Sequence, residues 1–378
     1  MSDIQLMGAT YPDVPAVKLP KSGGGEATFT EVGGSQTYTQ NGTYDVSALS
    51  EAVVNVSGGG GSSNLKGIIE RTVGSIELPS DLTRVGNYAF YGCSSLDIDE
   101  MPSGVTSIDR YAFHSCTNLS LTSLPDNITL IDQYAFYNCS SLALTSLPSS
   151  LTTINQYAFW GCSGIRLSVL PSNLTTVGGY AFYTCNGCTF ALMPSRVSTI
   201  GNYAFYKTRS TFTELSPVLT SIGQYAFSEC PITSIRCTGT ITTFGTQAFR
   251  NCQNLTRAEF PNMSIATLPV CFGQTSATYA DKALELVDLG KSAGVSANAF
   301  ANCYALETLI IRKSGAVATL ANVSAFSNTP FSGRNGGVGK LYVPSSLVSA
   351  YQTANNWKTL YNNGTMQVLP IEGSDYEL

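Results

Sequence analysis

Charge is scarce in this chain. Only 12% of its 378 residues are Asp, Glu, Lys or Arg, and the formal net charge is −5. A nucleic-acid-binding surface needs clustered Lys and Arg, so this balance argues against such a partner. Histidine is almost missing, with His114 the one example, so any imidazole chemistry must rest on that residue alone. No apolar run reaches 18 residues, so the sequence offers no helix that would insert in a membrane. The start, "MSDIQLMGATYPDVPAVKLP", lacks the basic segment and apolar core of a secretory signal. Sustained helical periodicity is absent from the middle of the chain as well: no window there keeps i, i+3, i+4, i+7 over ten or more residues.

What the chain does have is repetition. "IDQYAFYNCSSL" from Ile131 is followed, 23 residues later, by "INQYAFWGCSGI" from Ile154. Phe90, Phe113, Phe136, Phe159, Phe182 and Phe205 are spaced at 23 residues. Phe227, Phe249 and Phe272 follow at 22, 22 and 23, then Phe300 and Phe326 at 28 and 26. Ala precedes the Phe in every unit but one, where Cys271 stands, and three residues after it comes Cys or Thr. A fixed period of this length is the signature of stacked repeats.

Each unit joins short β-forming pieces through Pro, Ser and Gly, as in "LALTSLPSSLTTINQYAFWGC". That pattern predicts short strands and tight corners, with Pro102, Pro125, Pro148, Pro171 and Pro194 at one phase where a strand ends. One such coil cannot cover its own Phe and Leu, whereas stacked coils shield one another, which predicts a mainly β solenoid. Eleven coils at the spacing of paired strands would extend on the order of 50 Å.

"LPSSLTTINQYAFWGC" resembles the 23-residue leucine-rich repeat of BspA-like bacterial surface proteins, also called the Treponema-type repeat. The resemblance covers about residues 65 to 340, with LP, L-x-x-I and AF-x-x-C recurring in phase. It departs in "ITTFGTQAF", where Phe244 replaces Ile, and in "IATLPVCF", which lacks Tyr-Ala. The resemblance implies a leucine-rich repeat solenoid used for adhesion and recognition without catalysis.

The expected organisation is an extended arm at 1–25, a small β-hairpin module at 26–57, a Gly/Ser linker at 58–63, the solenoid at 64–338 and a cap at 339–378. The hairpin reading rests on β-formers alternating with Asn-Gly and Gly-Gly. "TYTQNGTYDVSALSEAVVNV" and "GATYPDVPAVKLPKSGGG" resemble segments of tail-associated proteins of phages and prophages of Gram-positive gut bacteria. The cap reads strand, helix, strand: "KLYVP", an amphipathic helix N-capped by Ser345 or Ser346, and "MQVLPI". Leu347, Ala350, Tyr351, Ala354, Trp357, Leu360 and Tyr361 form its apolar spacing.

Chemistry is hard to find. His114 has Ser115 beside it and Asp109 nearby, but near neighbours on one coil do not make the convergent cleft a Ser–His–acid relay needs. Cys185 and Cys188 form a lone C-x-x-C, too little for zinc. "LGKS" at 289–292 lacks the upstream Gly of a phosphate loop and reads as a turn. Asp97, Asp99 and Glu100 read as a solvated edge. Eight of the eleven Cys share one phase of the repeat, which favours buried free thiols over bridges. No enzyme, cofactor or metal centre is expected.

The better signal is the residue after each anchor Phe: Tyr91, His114, Tyr137, Trp160, Tyr183 and Tyr206 in six successive units. Tyr also stands two before the Phe, from Tyr88 to Tyr225, where inter-coil stacking accounts for it. The chemical variety of the first set suggests instead a surface row able to bind sugar rings or peptide. The function expected is non-enzymatic recognition, by a tail-associated virion component that meets a host-surface polysaccharide or protein and docks to other virion proteins through its N-terminal module. The alternatives are a bacterial cell-surface or extracellular adhesin and a structural spacer without a ligand.

Overall fold

The structure, a computed structural model, describes residues 82–98, 100–272 and 283–378, with Leu78 and short strands before it. The expected arm, hairpin module and linker lie largely outside the described residues. Within that stretch, Ala27–Glu31 pairs antiparallel with both Gly34–Tyr38 and Ala52–Val56. The chain divides into two compact units, 1–173 and 174–378. From residue 82 onward the described residues of both form parallel β-solenoid coils.

In the first unit the L-x-x-I piece of each repeat makes a strand. Leu82–Val85, Ser107–Ile108, Leu130–Ile131 and Thr153–Ile154 pair in parallel, with Val85, Ile108, Ile131 and Ile154 in one register column. Alternate side chains of a strand face opposite ways, so the Ile column is buried and the residue before it is only half-covered. The preceding Pro opens the corner: its carbonyl accepts from the amide three residues on, Pro125 from Ile128 at 3.2 Å and Pro148 from Leu151 at 3.1 Å. The run "LALTSL", read from sequence as a strand, forms none in this unit. Two residues ending in a buried Ile are enough for the ladder, and the rest of the coil turns.

The Phe column is the interior. Phe90, Phe113, Phe136 and Phe159 are fully buried, with ring centroids 5.1, 5.3 and 5.5 Å apart and near-parallel planes. Each Phe amide donates to the Ala carbonyl of the next coil, as Phe90 does to Ala112 at 2.7 Å. All eleven cysteines are buried as thiols, with no disulfide among them.

The second unit begins in the same way, with Thr176–Val177, Thr199–Ile200, Ser221–Ile222 and Thr243–Phe244 in parallel. Phe244 is buried in the place of the usual Ile. A further parallel sheet then forms on Ser234–Arg236, Arg257–Glu259, Leu286–Asp288, Thr308–Ile310, Gly339–Val343 and Met366–Pro370. Arg236 and Glu259 of neighbouring strands form a solvent-facing ion pair at 3.3 Å, whereas Arg312, just beyond a strand, pairs at 2.8 Å with the buried Asp288. Burial holds the Asp288 carboxyl above its ordinary pKa, against the pull of Arg312.

The expected single helix between the last two strands is two short ones, Val348–Thr353 and Trp357–Asn362, after a 3-10 turn at Ser345–Leu347. Asn356, at φ 63°, breaks the run. Neither Ser345 nor Ser346 makes a side-chain cap, and Tyr361 is exposed. The break lets Tyr351 and Trp357 converge on Ala318: the Tyr351 hydroxyl accepts from its amide at 2.9 Å, and the Trp357 indole N–H donates to its carbonyl at 2.8 Å. Phe331 stacks on Phe326 at 4.7 Å and Trp357 lies 5.9 Å from it, so the last anchor Phe is roofed by aromatic side chains.

Candidate recognition surface

A short turn places the aromatic residues. After each strand the chain takes a left-handed step at the Tyr two before the Phe, with φ between 59° and 61° at Tyr88, Tyr111, Tyr134 and Tyr157. A second such step falls two after the Phe, at Gly92, Ser115, Asn138 and Gly161. Amides between the steps donate three residues back, as Tyr137 does to Tyr134 at 3.2 Å. The reversals bring the two aromatic positions to the same flank of each coil.

The result in the first unit is a double ladder. Tyr88, Tyr111, Tyr134 and Tyr157 stack at 4.9, 4.6 and 4.5 Å. Tyr91, His114, Tyr137 and Trp160 stack beside them at 4.7, 4.6 and 4.4 Å. Tilted contacts link the columns, for example Tyr134 to Tyr137 at 5.7 Å. The inter-coil stack and the surface row, which sequence reasoning kept apart, are one construction. In the second unit Tyr180, Tyr203 and Tyr225 stack at 4.7 and 4.6 Å, and Tyr183 stacks on Tyr206 at 4.7 Å.

The six candidate residues differ in exposure. Tyr91 and His114 are 6% and 3% exposed and present almost nothing to solvent. Tyr137 and Trp160, and in the second unit Tyr183 and Tyr206, are half-buried. His114 and Tyr137 are each stacked on both sides at van der Waals separation. No sugar ring can lie flat on those faces. What such rings offer outward is their edges and hydroxyls.

The Nδ1 of His114 lies 3.0 Å from the Ser115 hydroxyl, and burial lowers the pKa of the ring to about 4. Asp109 accepts instead from Arg84, Nε to Oδ2 at 2.6 Å. Burial pushes the Cys116, Cys139 and Cys271 thiols up, away from the thiolate. Cys185 and Cys188 are both buried. Of the acids, Asp97 accepts from Ser120 at 2.7 Å, Glu100 is exposed and Asp99 lies outside the described residues. The "LGKS" segment is a turn, in which the buried Ser292 hydroxyl donates to the Leu289 carbonyl at 2.7 Å. Among the described residues no group of three or more His, Cys, Asp or Glu is placed to hold a metal ion, and no helix is long and apolar enough to cross a membrane.

Polar residues frame the ladder, and sequence reasoning missed them. Gln133 donates to Gln156 across coils at 2.9 Å, beside Tyr134 and Tyr157. In the second unit the Tyr206 hydroxyl donates to Glu229 at 2.8 Å, and Lys207 pairs with the same carboxylate at 3.6 Å. Burial, with that hydrogen bond, raises the Tyr206 pKa, and burial with the neighbouring phenols takes Tyr203 up to about 12. The signal available was the recurrence of Asn or Gln just before the Tyr, at Asn87, Gln133, Gln156, Asn202 and Gln224.

No curated protein matches the chain. Among solved structures, a leucine-rich repeat protein from Bacteroides ovatus is 22% identical, covering 89% of this chain and 90% of that one, with a TM-score of 0.48. A leucine rich cell surface protein from Faecalibacterium prausnitzii is also 22% identical, over 76% of this chain and 82% of that one, with a TM-score of 0.41. The Treponema pallidum leucine rich repeat protein is 26% identical over 51% of this chain and 83% of its own, with a TM-score of 0.37. The model of the BspA type leucine rich repeat region matches residues 70–189 and 187–307, more than half of the chain. With its phased LP, L-x-x-I and AF-x-x-C built into solenoid coils, the chain belongs to the BspA-type leucine-rich repeat family.

Proposed function

We propose that the protein is a non-enzymatic adhesin of a bacterial cell surface, binding a surface polysaccharide or protein through its aromatic flank. The observation that carries this reading is the partial exposure of the ladder at Tyr134, Tyr137, Tyr157 and Trp160. A stack serving only the interior would be covered throughout, as the Phe column is. Half-buried Tyr and Trp combine an apolar body with a polar edge, the composition that dominates binding hot spots. Membership of a family of bacterial surface proteins supports the adhesin over the tail-associated virion component. The latter reading leans on residues 1–57, which lie largely outside the described residues.

The test pairs binding with stability for Trp160→Ala and Tyr137→Ala. Purified variants are titrated onto bacterial and host cells and onto cell-wall glycans, and melted in parallel. Loss of roughly 2 kcal/mol of binding at Trp160 in a folded variant supports the reading. Unchanged binding by both folded variants ends it and leaves the ladder a structural spacer. Antibody labelling of intact source cells, set against purified phage particles, decides between surface and virion.

A further inference from the structure

Tyr206 ends a ring column. The residue after the anchor Phe runs Tyr183, Tyr206, Ser228 in the second unit, so no aromatic side chain follows Tyr206 at that phase. The Tyr183 and Tyr206 rings lie face to face, with centroids 4.7 Å apart and planes 14° from parallel. Tyr203 stands beside both, 6.1 Å from Tyr183 and 5.8 Å from Tyr206. All three are half-buried. Phenols are among the most readily oxidised side chains, and here three of them are in ring contact.

A base is already seated on one. The Tyr206 hydroxyl donates to Glu229 Oε1 at 2.8 Å, and Lys207 pairs with Oε2 of the same carboxylate at 3.6 Å. Burial, with that hydrogen bond, raises the Tyr206 pKa, so the group is a phenol at neutral pH. Taking an electron from a phenol turns it into a strong acid, and its proton must leave for the neutral radical to persist. Glu229 stands where that proton goes, within the reach of a positioned general base.

We propose that Tyr183 and Tyr206 form a site of oxidative modification, where one-electron oxidants couple the two rings into dityrosine and Glu229 takes the Tyr206 proton. The oxidant is a one-electron acceptor, such as a high-valent metal complex, and two equivalents are reduced. One removes an electron from Tyr206 as its hydroxyl proton passes to Glu229. The other removes an electron from Tyr183, whose proton goes to water. The radicals join through a carbon ortho to each oxygen, forming one C–C bond. The hydrogen on each of those carbons then moves to its oxygen through water, which restores both phenols. Two electrons and two protons have left, and residues 23 apart on successive coils are covalently joined. The chemistry needs no ligand and stands apart from the recognition reading.

The experiment illuminates the full chain with ruthenium tris(bipyridine) and persulfate at low protein concentration, then maps cross-linked peptides by mass spectrometry. A peptide pair joined at Tyr183 and Tyr206, two hydrogen atoms lighter than its parts, is expected together with dityrosine fluorescence. Glu229→Gln keeps an oxygen acceptor for the Tyr206 hydroxyl and loses the base. It should lower the yield of this link about tenfold and leave dityrosine formed elsewhere in the chain unchanged. Oxidation in concentrated urea should remove the preference for the pair, because the stacking is then gone. The oxidised folded protein should melt a few degrees higher, since a cross-link restricts the unfolded chain. A folded wild type that is oxidised without joining Tyr183 to Tyr206 overturns the assignment, whatever the variant does. So does a Glu229→Gln protein that forms the link at the wild-type yield, or one in which every dityrosine falls equally.

Discussion

The thiol of Cys139 donates a hydrogen bond to the carbonyl of Phe113, one coil earlier, at 2.9 Å. Cys116 and Cys162 do the same to Phe90 and Phe136, both at 2.9 Å. In the second unit Cys230 and Cys252 reach Phe205 and Phe227 at 3.0 and 3.1 Å. Thr208 and Thr329 turn the bond inward, to the Phe carbonyl of their own coil, at 3.1 and 2.8 Å. Cysteine and threonine alternate at this phase because both put a small donor beside a buried carbonyl.

Cys139→Ala removes that donor and leaves a small void. The Phe113 carbonyl still accepts from the Cys116 amide at 3.1 Å, so the loss should be moderate, about 1–2 kcal/mol in urea denaturation. In the native wild type all eleven buried thiols should resist alkylation, and all should label after denaturation without reductant. A melting temperature that drops on adding dithiothreitol would show that the column is bridged.

Unit two brings its coils closest along a glycine column. A Cβ on Gly223 would sit 2.4 Å from both the Asn202 amide nitrogen and the Gly201 carbonyl carbon, where backbone cannot yield. Gly223→Ala is expected to cost about 1–3 kcal/mol by forcing those coils apart. The first unit places Asp109, Asp132 and Asn155 at the same phase, and there Asp132 accepts from Asn155 at 3.0 Å. A Gly223→Ala protein melting with the wild type would contradict the close approach.

His114 makes stability depend on pH. Its pKa falls from an ordinary 6.5 to about 4 in the fold, because burial disfavours the imidazolium. The unfolded chain therefore binds the proton more readily between those values, and stability drops as pH falls from 6.5 to about 4. The loss should be on the order of 3 kcal/mol, complete below the folded pKa. His114→Phe keeps a ring between Tyr91 and Tyr137 and should flatten that part of the curve. Asp288, raised by burial, works the other way, its penalty easing on acidification. The difference between wild type and His114→Phe isolates the histidine, and parallel curves would refute its role.

The period told most of the fold in advance, because burying Phe159 and Ile154 requires the same neighbour in every coil. The strand at Thr153–Ile154 and the Pro148 corner were legible for the same reason. The helix break at Asn356 was not, since Ala354 and Trp357 keep helical spacing across it and the bonds to Ala318 that favour the break are tertiary. The candidate row was visible as residue identity, yet its burial at Tyr91 and His114 was not. Nothing local distinguishes Tyr91 from Tyr137; the difference comes from what packs around each coil. The left-handed steps left a partial trace in Asn138, Gly161, Asn251 and Asn302, residue types that tolerate that conformation. Tyr at the other step gave no such trace.

That Tyr offers the sharpest test of what the ladder does. Tyr134 sits at φ 60°, a conformation that costs an L-residue roughly 1–2 kcal/mol. It is held there by stacking on Tyr111 and Tyr157 at 4.6 and 4.5 Å, each pair contributing about 0.5–1.5 kcal/mol beyond burial. Tyr134→Ala loses the stacking and keeps the strain, whereas Tyr134→Gly loses the stacking and releases it. Glycine also gains about 0.5–1 kcal/mol of freedom in the unfolded chain, so the two variants are not separated by the full strain. The glycine variant should still be the more stable, by about 0.5–1 kcal/mol in urea denaturation. At the neighbouring buried Ala135, which lacks a left-handed φ, the exchange to Gly should destabilise as usual. If Tyr134→Ala proves more stable than Tyr134→Gly, stacking is not what offsets the strain at this turn.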